Sequence, residues 1–194
     1  MLDKIKRVFF WITTPVQKLL QYFSRPEPEM TRANVDCILS QCQIGDLLLS
    51  YEGGRLTSPF IRGEWDHLAV INNSFEVVEA VAPRVRKVDL EEWLFKKKGV
   101  AVVRYCGNTF SNSGSTHLLV ATYVNKFIGW LYDYLFSYGN RRAYCSEIGY
   151  LSYLEFDSNF MSHIPKGREI LPQDFYDAAK HRLSNLILIT EVKN

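Results

Sequence analysis

The sequence predicts a single α+β domain, and three observations lead to that fold class. The chain has 194 residues, a length that suits one domain with a hydrophobic core. Its hydrophobic content of 47% and aromatic content of 14% are typical of a globular protein. Segments with strand-type patterns are preceded, separated and followed by helix-type segments without strict βαβ alternation, which favours an α+β arrangement.

The first elements of this domain are expected between residues 31 and 81. Residues 31–43 are predicted to form a short helix with Thr31 as its N-cap. The stretch "IGDLLLSYEG" follows as a strand that ends in a Gly-Gly turn. The stretch "HLAVINNSFEVVEAV" is predicted to form two strands joined by a tight turn at Asn72–Ser74.

The rest of the chain predicts further strands and helices. The predicted strands are "GVAVVRYC" and "LSNLILIT", and the stretch "GWLYDYLF" is expected to be extended. The predicted helices are "KVDLEEWLFKK", the segment from Ser115 to about Lys126, the segment from Cys145 to about Phe156, and "LPQDFYDAAK".

Residues 1–25 are predicted to form a basic amphipathic helix, which a Pro-rich linker at 26–30 joins to a domain of residues 31–194. Such a helix can lie on an anionic membrane surface, or it can dock on its own domain or on a partner, and the sequence leaves both open. The apolar run Val8–Ile12 is too short to span a bilayer. No cleavage site of small residues follows it, so we expect no secretory signal.

The net charge and the cysteine content argue against several functions, namely nucleic-acid binding, a disulfide framework and a metal site. A formal net charge of +2 gives no reason to expect a nucleic-acid partner. The cysteines Cys37, Cys42, Cys106 and Cys145 form no CxxC pattern or Cys/His spacing, so we expect no disulfide framework, metal site or cofactor. Reduced thiols predict a cytoplasmic or cytoplasm-facing protein, associated peripherally with a membrane if residues 1–25 bind one.

The predicted hairpin offers a candidate catalytic pair, His67 and Glu79. With a three-residue turn Ile71 faces Phe75, and antiparallel pairing places His67 directly opposite Glu79 on one face. A two-residue turn would place the two side chains on opposite faces. A carboxylate beside an imidazole fixes its tautomer and stabilises the imidazolium, which is the orienting role in a catalytic triad. An ordinary surface His–Glu pair is the alternative.

Cys145 is the candidate nucleophile because it opens a predicted helix. A thiol there lies at the positive end of the helix dipole, beside unpaired N–H groups that favour the thiolate and can hold an oxyanion. Core packing is the alternative role for Cys145. The other three cysteines are interpreted as packing residues, and His117, His163 and His181 as structural or surface residues.

The order of five short motifs resembles that of circularly permuted NlpC-type, papain-like cysteine hydrolases. The motifs are "IGDLLLS", "WDHLAVI", "FEVVEA", "WLYDYLF" and "YCSEIGYLSY", and they lie within residues 44–180. The group they resemble most is that of the YiiX/YaeF-like proteins, with lecithin:retinol acyltransferase-type enzymes as more distant relatives. The resemblance implies a small, partly closed antiparallel sheet packed with helices. Relatives usually carry a second aliphatic residue where this chain has Gly149, which we expect to reflect close packing.

The resemblance also implies roles for the site residues. Cys145 matches the family nucleophile, His67 the base and Glu79 the third polar residue. The implied activity is thiol-dependent hydrolysis through a thioester acyl-enzyme, with an amidase or peptidase and a lipid esterase or acyltransferase both left open. Tyr51 and Ser146 are candidate contacts for the oxyanion or the substrate, although a structural hydroxyl is an equal interpretation for Tyr51. A non-catalytic binding or membrane-tethering module that keeps the fold is the alternative function.

Overall fold

The computed structural model describes residues 30–51, 63–107, 113–136, 141–165 and 167–193. The predicted helix at 1–25 and nearly all of the predicted linker lie outside these residues. The helices are α1 (Arg32–Leu39), α2 (Leu90–Leu94), α3 (Ser113–Tyr123), α4 (Cys145–Leu154) and α5 (Pro172–Lys180), and a 3₁₀ helix covers Val124–Phe127. The strands are β1 (Leu47–Tyr51), β2 (His67–Ile71), β3 (Glu76–Val81), β4 (Arg84–Asp89), β5 (Gly99–Tyr105), β6 (Leu131–Tyr132), β7 (Arg142–Ala143) and β8 (Leu186–Lys193).

The described strands form one sheet that curls into a half-barrel. Its strand order is β7-β6-β4-β3-β2-β1-β5-β8. Neighbouring strands pair antiparallel, except that β6 and β7 pair parallel. With helices before, between and after the strands, this architecture confirms the predicted α+β class and is consistent with a permuted papain-like fold.

The two faces of the sheet carry separate hydrophobic clusters because successive strand residues point to opposite sides. On one face, Leu47, Leu68 and Val70 belong to the larger cluster, together with residues of α4 and α5. On the other face, Leu48 and Ala69 belong to a second cluster, together with residues of α1 and α2. The central strands β1 and β2 are therefore buried on both sides. None of the described helices is long and apolar enough to cross a membrane.

Most predicted elements are present, and the largest omission is β4. Thr31 caps α1 as predicted, since its side chain accepts a hydrogen bond from the Asn34 N–H. The stretch from Lys87 was predicted to be helical, but β4 continues to Asp89 and α2 begins only at Leu90. The Asp89 side chain accepts the Glu92 N–H and so caps α2 at that point. The predicted extended segment at 129–136 contains only the two-residue strand β6.

The hairpin of β2 and β3 differs from the predicted register by two residues. Ala69, not His67, lies opposite Glu79, and the turn falls at residues 73–75 instead of Asn72–Ser74. The cause is local: the Asn72 Oδ1 atom accepts the backbone N–H groups of Ser74 and Glu76, and Phe75 has a positive φ of 60°. A shift of two residues keeps the same faces, so His67 and Glu79 still lie on one side of the sheet.

Candidate active site

A buried carboxylate network joins β2, β3, β4 and α2. The Glu79 Oε2 atom lies 2.8 Å from the His67 Nε2 atom and accepts the Trp93 Nε1–H at 2.8 Å. The other oxygen, Oε1, accepts the Arg86 Nε–H at 3.0 Å and the Nη2–H at 2.8 Å. His67 and Glu79 are each 1% exposed. The structure thus brings together the two hairpin residues that the sequence analysis paired.

The surroundings of Glu79 hold it in the ionised form. Burial by itself would raise the pKa of this carboxyl, but the hydrogen bond and charge of His67, the charge of Lys97 and the Trp93 hydrogen bond together lower it well below its usual range. Lys97 is itself only 3% exposed, and its Nζ atom lies 4.3 Å from the centroid of the Trp93 ring. An ionised Glu79 can only accept, so the His67 Nε2 atom carries the hydrogen of their contact. The Nδ1 atom is then the ring nitrogen able to take a proton from a substrate or a thiol.

Cys145 is the first residue of α4 and is 3% exposed. The preceding residue, Tyr144, is the extended N-cap, and its backbone N–H donates to the Glu147 Oε2 atom at 3.3 Å. The first N–H groups of a helix have no partner within the helix, so this turn offers backbone donors beside the thiol. The predicted helix start at Cys145 is therefore correct.

A later segment of the chain anchors this first turn. The Ser146 hydroxyl is buried and donates to the Ile170 carbonyl at 2.7 Å, while the Ile170 N–H donates to the Tyr144 hydroxyl oxygen at 3.4 Å. The Ser146 hydroxyl proton is thus directed at the backbone. The part of Ser146 that remains suited to holding an oxyanion is its own N–H.

Close packing orients α4 along the central strands, with its N-terminus toward the start of β2. A Cβ atom on Gly149 would lie 2.8 Å from the Leu68 Cδ2 atom and 3.2 Å from the Leu47 Cδ2 atom, so the close packing expected at Gly149 is confirmed. One turn later, the Tyr153 hydroxyl donates to the Gly45 carbonyl at 2.6 Å, beside the end of β2. Cys145 lies one turn before Gly149, about 6 Å along the axis. Along the strand, this displacement brings Cys145 level with His67, the first residue of β2. The His67 side chain itself lies on the Ala69 face of the sheet, with Glu79 and Trp93.

A second buried carboxyl, Glu147, lies two residues after the cysteine. Its exposure is 1%, and Asp133, the residue after β6, is equally buried. Burial raises the pKa of Glu147 to about 8, with a further rise from the charge of Asp133 and a partial offset from the Tyr144 N–H. Glu147 is therefore mostly protonated at neutral pH, in contrast to Glu79.

Tyr51 ends β1 and is 40% exposed, at the end of the sheet where β2 begins. Its neighbour Ser50 pairs directly with His67 across β1 and β2, so their side chains share a face. The Ser50 Oγ atom is buried and makes no hydrogen bond within the described part of the chain.

Sequence reasoning missed the network partners Arg86, Trp93 and Lys97, as well as Ser50. Recognition of β4 would have found Arg86, because Glu79 and Arg86 are direct cross-strand partners. Trp93 reaches Glu79 from α2, which is a tertiary contact that no local pattern signals.

The remaining cysteines and histidines lie apart from this network. Cys42 is buried, and burial raises the pKa of its thiol to about 12, with Asp46 adding to the rise and Arg104 opposing it. Cys37 and Cys106 are exposed, so the packing interpretation is wrong for both. The remaining histidines have other positions. The His117 Nε2 atom contacts the Tyr105 carbonyl, the His163 Nδ1 atom contacts the Ser184 hydroxyl, and His181 is the C-cap of α5.

Comparison with known proteins identifies the family. Residues 41–182 match the model of a family described as permuted papain-like amidase enzymes, YaeF/YiiX, C92 family. No curated protein matches the chain. A crystal structure described as the metalloprotein YiiX from Escherichia coli O157:H7 has a similar fold, with a TM-score of 0.60 and 19% sequence identity over 79% of this chain and 99% of that chain.

The description of YiiX as a metalloprotein applies to that protein. Among the residues described for the present chain, no group of three or more His, Cys, Asp or Glu side chains could hold a metal ion. The family match covers well over half of the sequence and includes all the residues of the network around Glu79 as well as Cys145. The chain belongs to the permuted papain-like amidases of the YaeF/YiiX family, whose members are cysteine-type hydrolases.

Proposed function

We propose that the protein hydrolyses an amide bond through a Cys145–His67–Glu79 triad. The observation that carries this proposal is the buried contact between His67 and an ionised Glu79. The packing of α4 along the central strands supports it, because it brings Cys145 level with the start of β2. Nucleophile, base and orienting carboxylate are the three parts that cysteine-dependent acyl transfer requires.

In the first half of the reaction, the His67 Nδ1 atom takes the proton of the Cys145 thiol. The thiolate sulfur then attacks the carbonyl carbon, and the resulting oxyanion accepts hydrogen bonds from backbone N–H groups of the first turn of α4. When the carbon–nitrogen bond breaks, the His67 imidazolium returns its proton to the leaving amine. A thioester between the substrate acyl group and Cys145 remains.

In the second half, the His67 Nδ1 atom takes a proton from water, and the hydroxide attacks the thioester. The carbon–sulfur bond breaks, the carboxylic acid leaves, and the thiol is restored with the proton from His67. Throughout both halves Glu79 keeps the Nε2–H of His67 in place and stabilises each imidazolium.

The first test asks whether Cys145 is the reactive thiol. Because Cys37 and Cys106 are exposed, both should first be replaced with serine so that labelling reports the remaining cysteines. In this background we expect iodoacetamide and a thiol-directed acyl probe to modify Cys145, as mass mapping of peptides would locate. Cys145→Ala should abolish both the labelling and the hydrolysis of amide substrates without a change in the circular dichroism spectrum.

Matched variants make this result decisive. Cys42→Ala removes a buried thiol of the same domain and should leave probe labelling unchanged. Full amidase activity in Cys145→Ala, or preferential labelling of Cys42, would exclude the proposed nucleophile.

The acyl substrate is proposed to come from a peptide, or from a lipid if residues 1–25 bind a membrane surface. The basic amphipathic pattern of these residues supports the lipid branch, in which an esterase or acyltransferase would use the same thioester. Co-sedimentation with anionic vesicles, for the full chain and for a chain lacking residues 1–25, separates the branches. Binding that depends on residues 1–25 supports the lipid branch, and equal recovery of both chains in the supernatant supports the peptide branch. If the Cys145 probe labels nothing while vesicle binding persists, the non-catalytic tethering module becomes the better description.

A further inference from the structure

Arg86 covers the outer oxygen of the Glu79 carboxylate. The two residues face each other directly in the pairing of β3 with β4. Two nitrogens of the guanidinium donate hydrogen bonds to Oε1. The inner oxygen, Oε2, accepts hydrogen bonds from His67 and Trp93. The Arg86 side chain is 61% exposed, whereas that of Glu79 is 1% exposed. A solvent-accessible cation is thus bound to the back of a buried carboxylate.

We propose that Arg86 is a positioning residue for the proposed hydrolysis: it holds the Glu79 carboxylate in the orientation that His67 needs, and its charge sets the pH window of the reaction. This inference rests on the proposed function, because it assigns Arg86 a role through Glu79 and His67. Nothing in the triad itself requires a fourth charged residue.

The positioning effect follows from the geometry of the contacts. A planar guanidinium that donates twice to one oxygen restricts rotation of the carboxylate more than a single donor would. Because Arg86 on β4 holds the Oε1 atom, the Oε2 atom stays within hydrogen-bond distance of the His67 Nε2 atom. Loss of Arg86 would free Oε1 and allow the carboxylate to rotate away from the imidazole.

The charge effect follows from the groups around Glu79. His67 faces the carboxylate from β2, Arg86 from β4, and Lys97 from the turn after α2. Arg86 and Lys97 both oppose the addition of a further positive charge, which is the imidazolium of His67. Lys97 is buried over Trp93, so Arg86 is the cation that can be replaced with less disturbance of the core.

The test measures the rate of Cys145 alkylation by iodoacetate across acid and alkaline pH, in the background lacking Cys37 and Cys106. This anionic reagent reacts fastest when the thiolate and the His67 imidazolium are present together, so the rate falls at both acid and alkaline pH. Removal of a positive charge makes protonation easier at every neighbouring group, so Arg86→Gln should move both limbs of the bell-shaped profile to higher pH. We expect a movement of about half a pH unit, at the low end for a contacting charge because the guanidinium is exposed. Arg86→Lys keeps the charge but loses the two-nitrogen contact, so it should lower the maximal rate several-fold with both limbs in place.

Arg84→Gln is the matched control. Arg84 lies on the same strand and face, two residues away, but its guanidinium donates to the Gly129 carbonyl. Its loss should leave the limbs where they are. If Arg86→Gln lowers the rate without moving the limbs, or moves them no more than Arg84→Gln does, the proposed role of Arg86 is wrong while Cys145 remains the nucleophile.

Failure of the proposed function would look different, because labelling would then persist in Cys145→Ala. If Arg86→Gln does not fold, the unmutated chain provides the test at high salt. Screening of the exposed guanidinium should move both limbs upward, in part, as ionic strength rises. If the pH positions of the two limbs do not change with ionic strength, the inference is wrong.

Discussion

Two buried glutamates of the candidate site differ in charge state at neutral pH, since Glu79 is ionised and Glu147 is mostly protonated. Glu79 and Glu147 are equally buried, at 1% exposure. Cations and N–H donors surround Glu79 and lower its pKa, whereas Glu147 has one backbone N–H and the nearby charge of Asp133, and its pKa rises to about 8. Burial therefore does not decide whether a carboxyl is charged; its partners do.

The difference matches two separate tasks. The carboxylate that orients a base must be ionised to stabilise an imidazolium, and the partners of Glu79 supply that state. The carboxyl of Glu147, in the first turn of α4, needs only to accept the Tyr144 N–H, which a neutral acid can do. In the proposed mechanism, a neutral Glu147 also avoids placing a second anion beside the Cys145 thiolate.

The largest predicted effect is a fall in kcat for Glu79→Gln, a variant in which residue 79 is neutral, as Glu147 is. In Glu79→Gln the amide NH₂ must face one of the donors on His67, Trp93 or Arg86, so the imidazole loses its acceptor or its orientation. We expect kcat for amide hydrolysis to fall by about 10²–10⁴-fold, as for other triads that lose the carboxylate charge. Steady-state kinetics would measure this fall.

Glu76→Gln is the control on the same strand. Glu76 binds Lys87 and points to solvent more than Glu79 does, so its replacement should leave kcat unchanged. Equal activity of Glu79→Gln and the parent chain would show that the charge of Glu79 is irrelevant to the reaction.

The next effect concerns stability, through Glu147→Gln. Because the folded pKa of about 8 lies above that of an unfolded glutamate, about 4.3, the folded state binds more protons between these values. The stability that Glu147 contributes is complete below the unfolded pKa and is lost as pH rises through 8. Glu147→Gln should remove this loss and raise the free energy of unfolding by a few kcal/mol at alkaline pH.

Urea unfolding on both sides of pH 8 would measure the effect. The gain from Glu147→Gln should grow as pH rises, whereas Glu155→Gln, at the exposed end of α4, should give no pH-dependent gain. A gain that is the same at every pH would mean that Glu147 is already ionised in the folded protein.

The smallest predicted effect is a loss of stability in Gly149→Ala, which tests the packing of α4 against β1 and β2. In Gly149→Ala the added Cβ atom meets the Leu68 side chain at 2.8 Å, and overpacking of this kind costs about 1–3 kcal/mol. The better helix propensity of alanine offsets up to about 1 kcal/mol. We expect a net loss of about 1 kcal/mol in chemical denaturation. Leu68→Val shortens the opposing side chain and should reduce the cost in the double variant; additive losses would indicate that the two residues do not touch.

The sequence predicted two parts of the site: which strand residues share a face of the sheet, and where the helix that begins with Cys145 starts. His67 and Glu79 share a face for any odd turn length, so an error of two residues in the register did no harm. Arg86 could not be predicted because β4, "RVRKVD", alternates poorly: Val85 and Val88 are its only apolar residues. The charge of Asp133 acts on Glu147 only after β6 has taken its place between β4 and β7, and local spacing does not encode this long-range proximity.

The two hydrogen bonds that Ser146 and Tyr144 make with Ile170 have a consequence for synthesis of the protein. His67, Glu79 and Cys145 are all in place along the chain by residue 145, but the turn that carries Cys145 gains its anchor from a residue translated 25 positions later. A nascent chain that ends before residue 170 carries all three side chains of the proposed triad without the backbone that fixes the first turn of α4. In the proposed mechanism, the nucleophile would therefore be held in place only after the chain has reached Ile170.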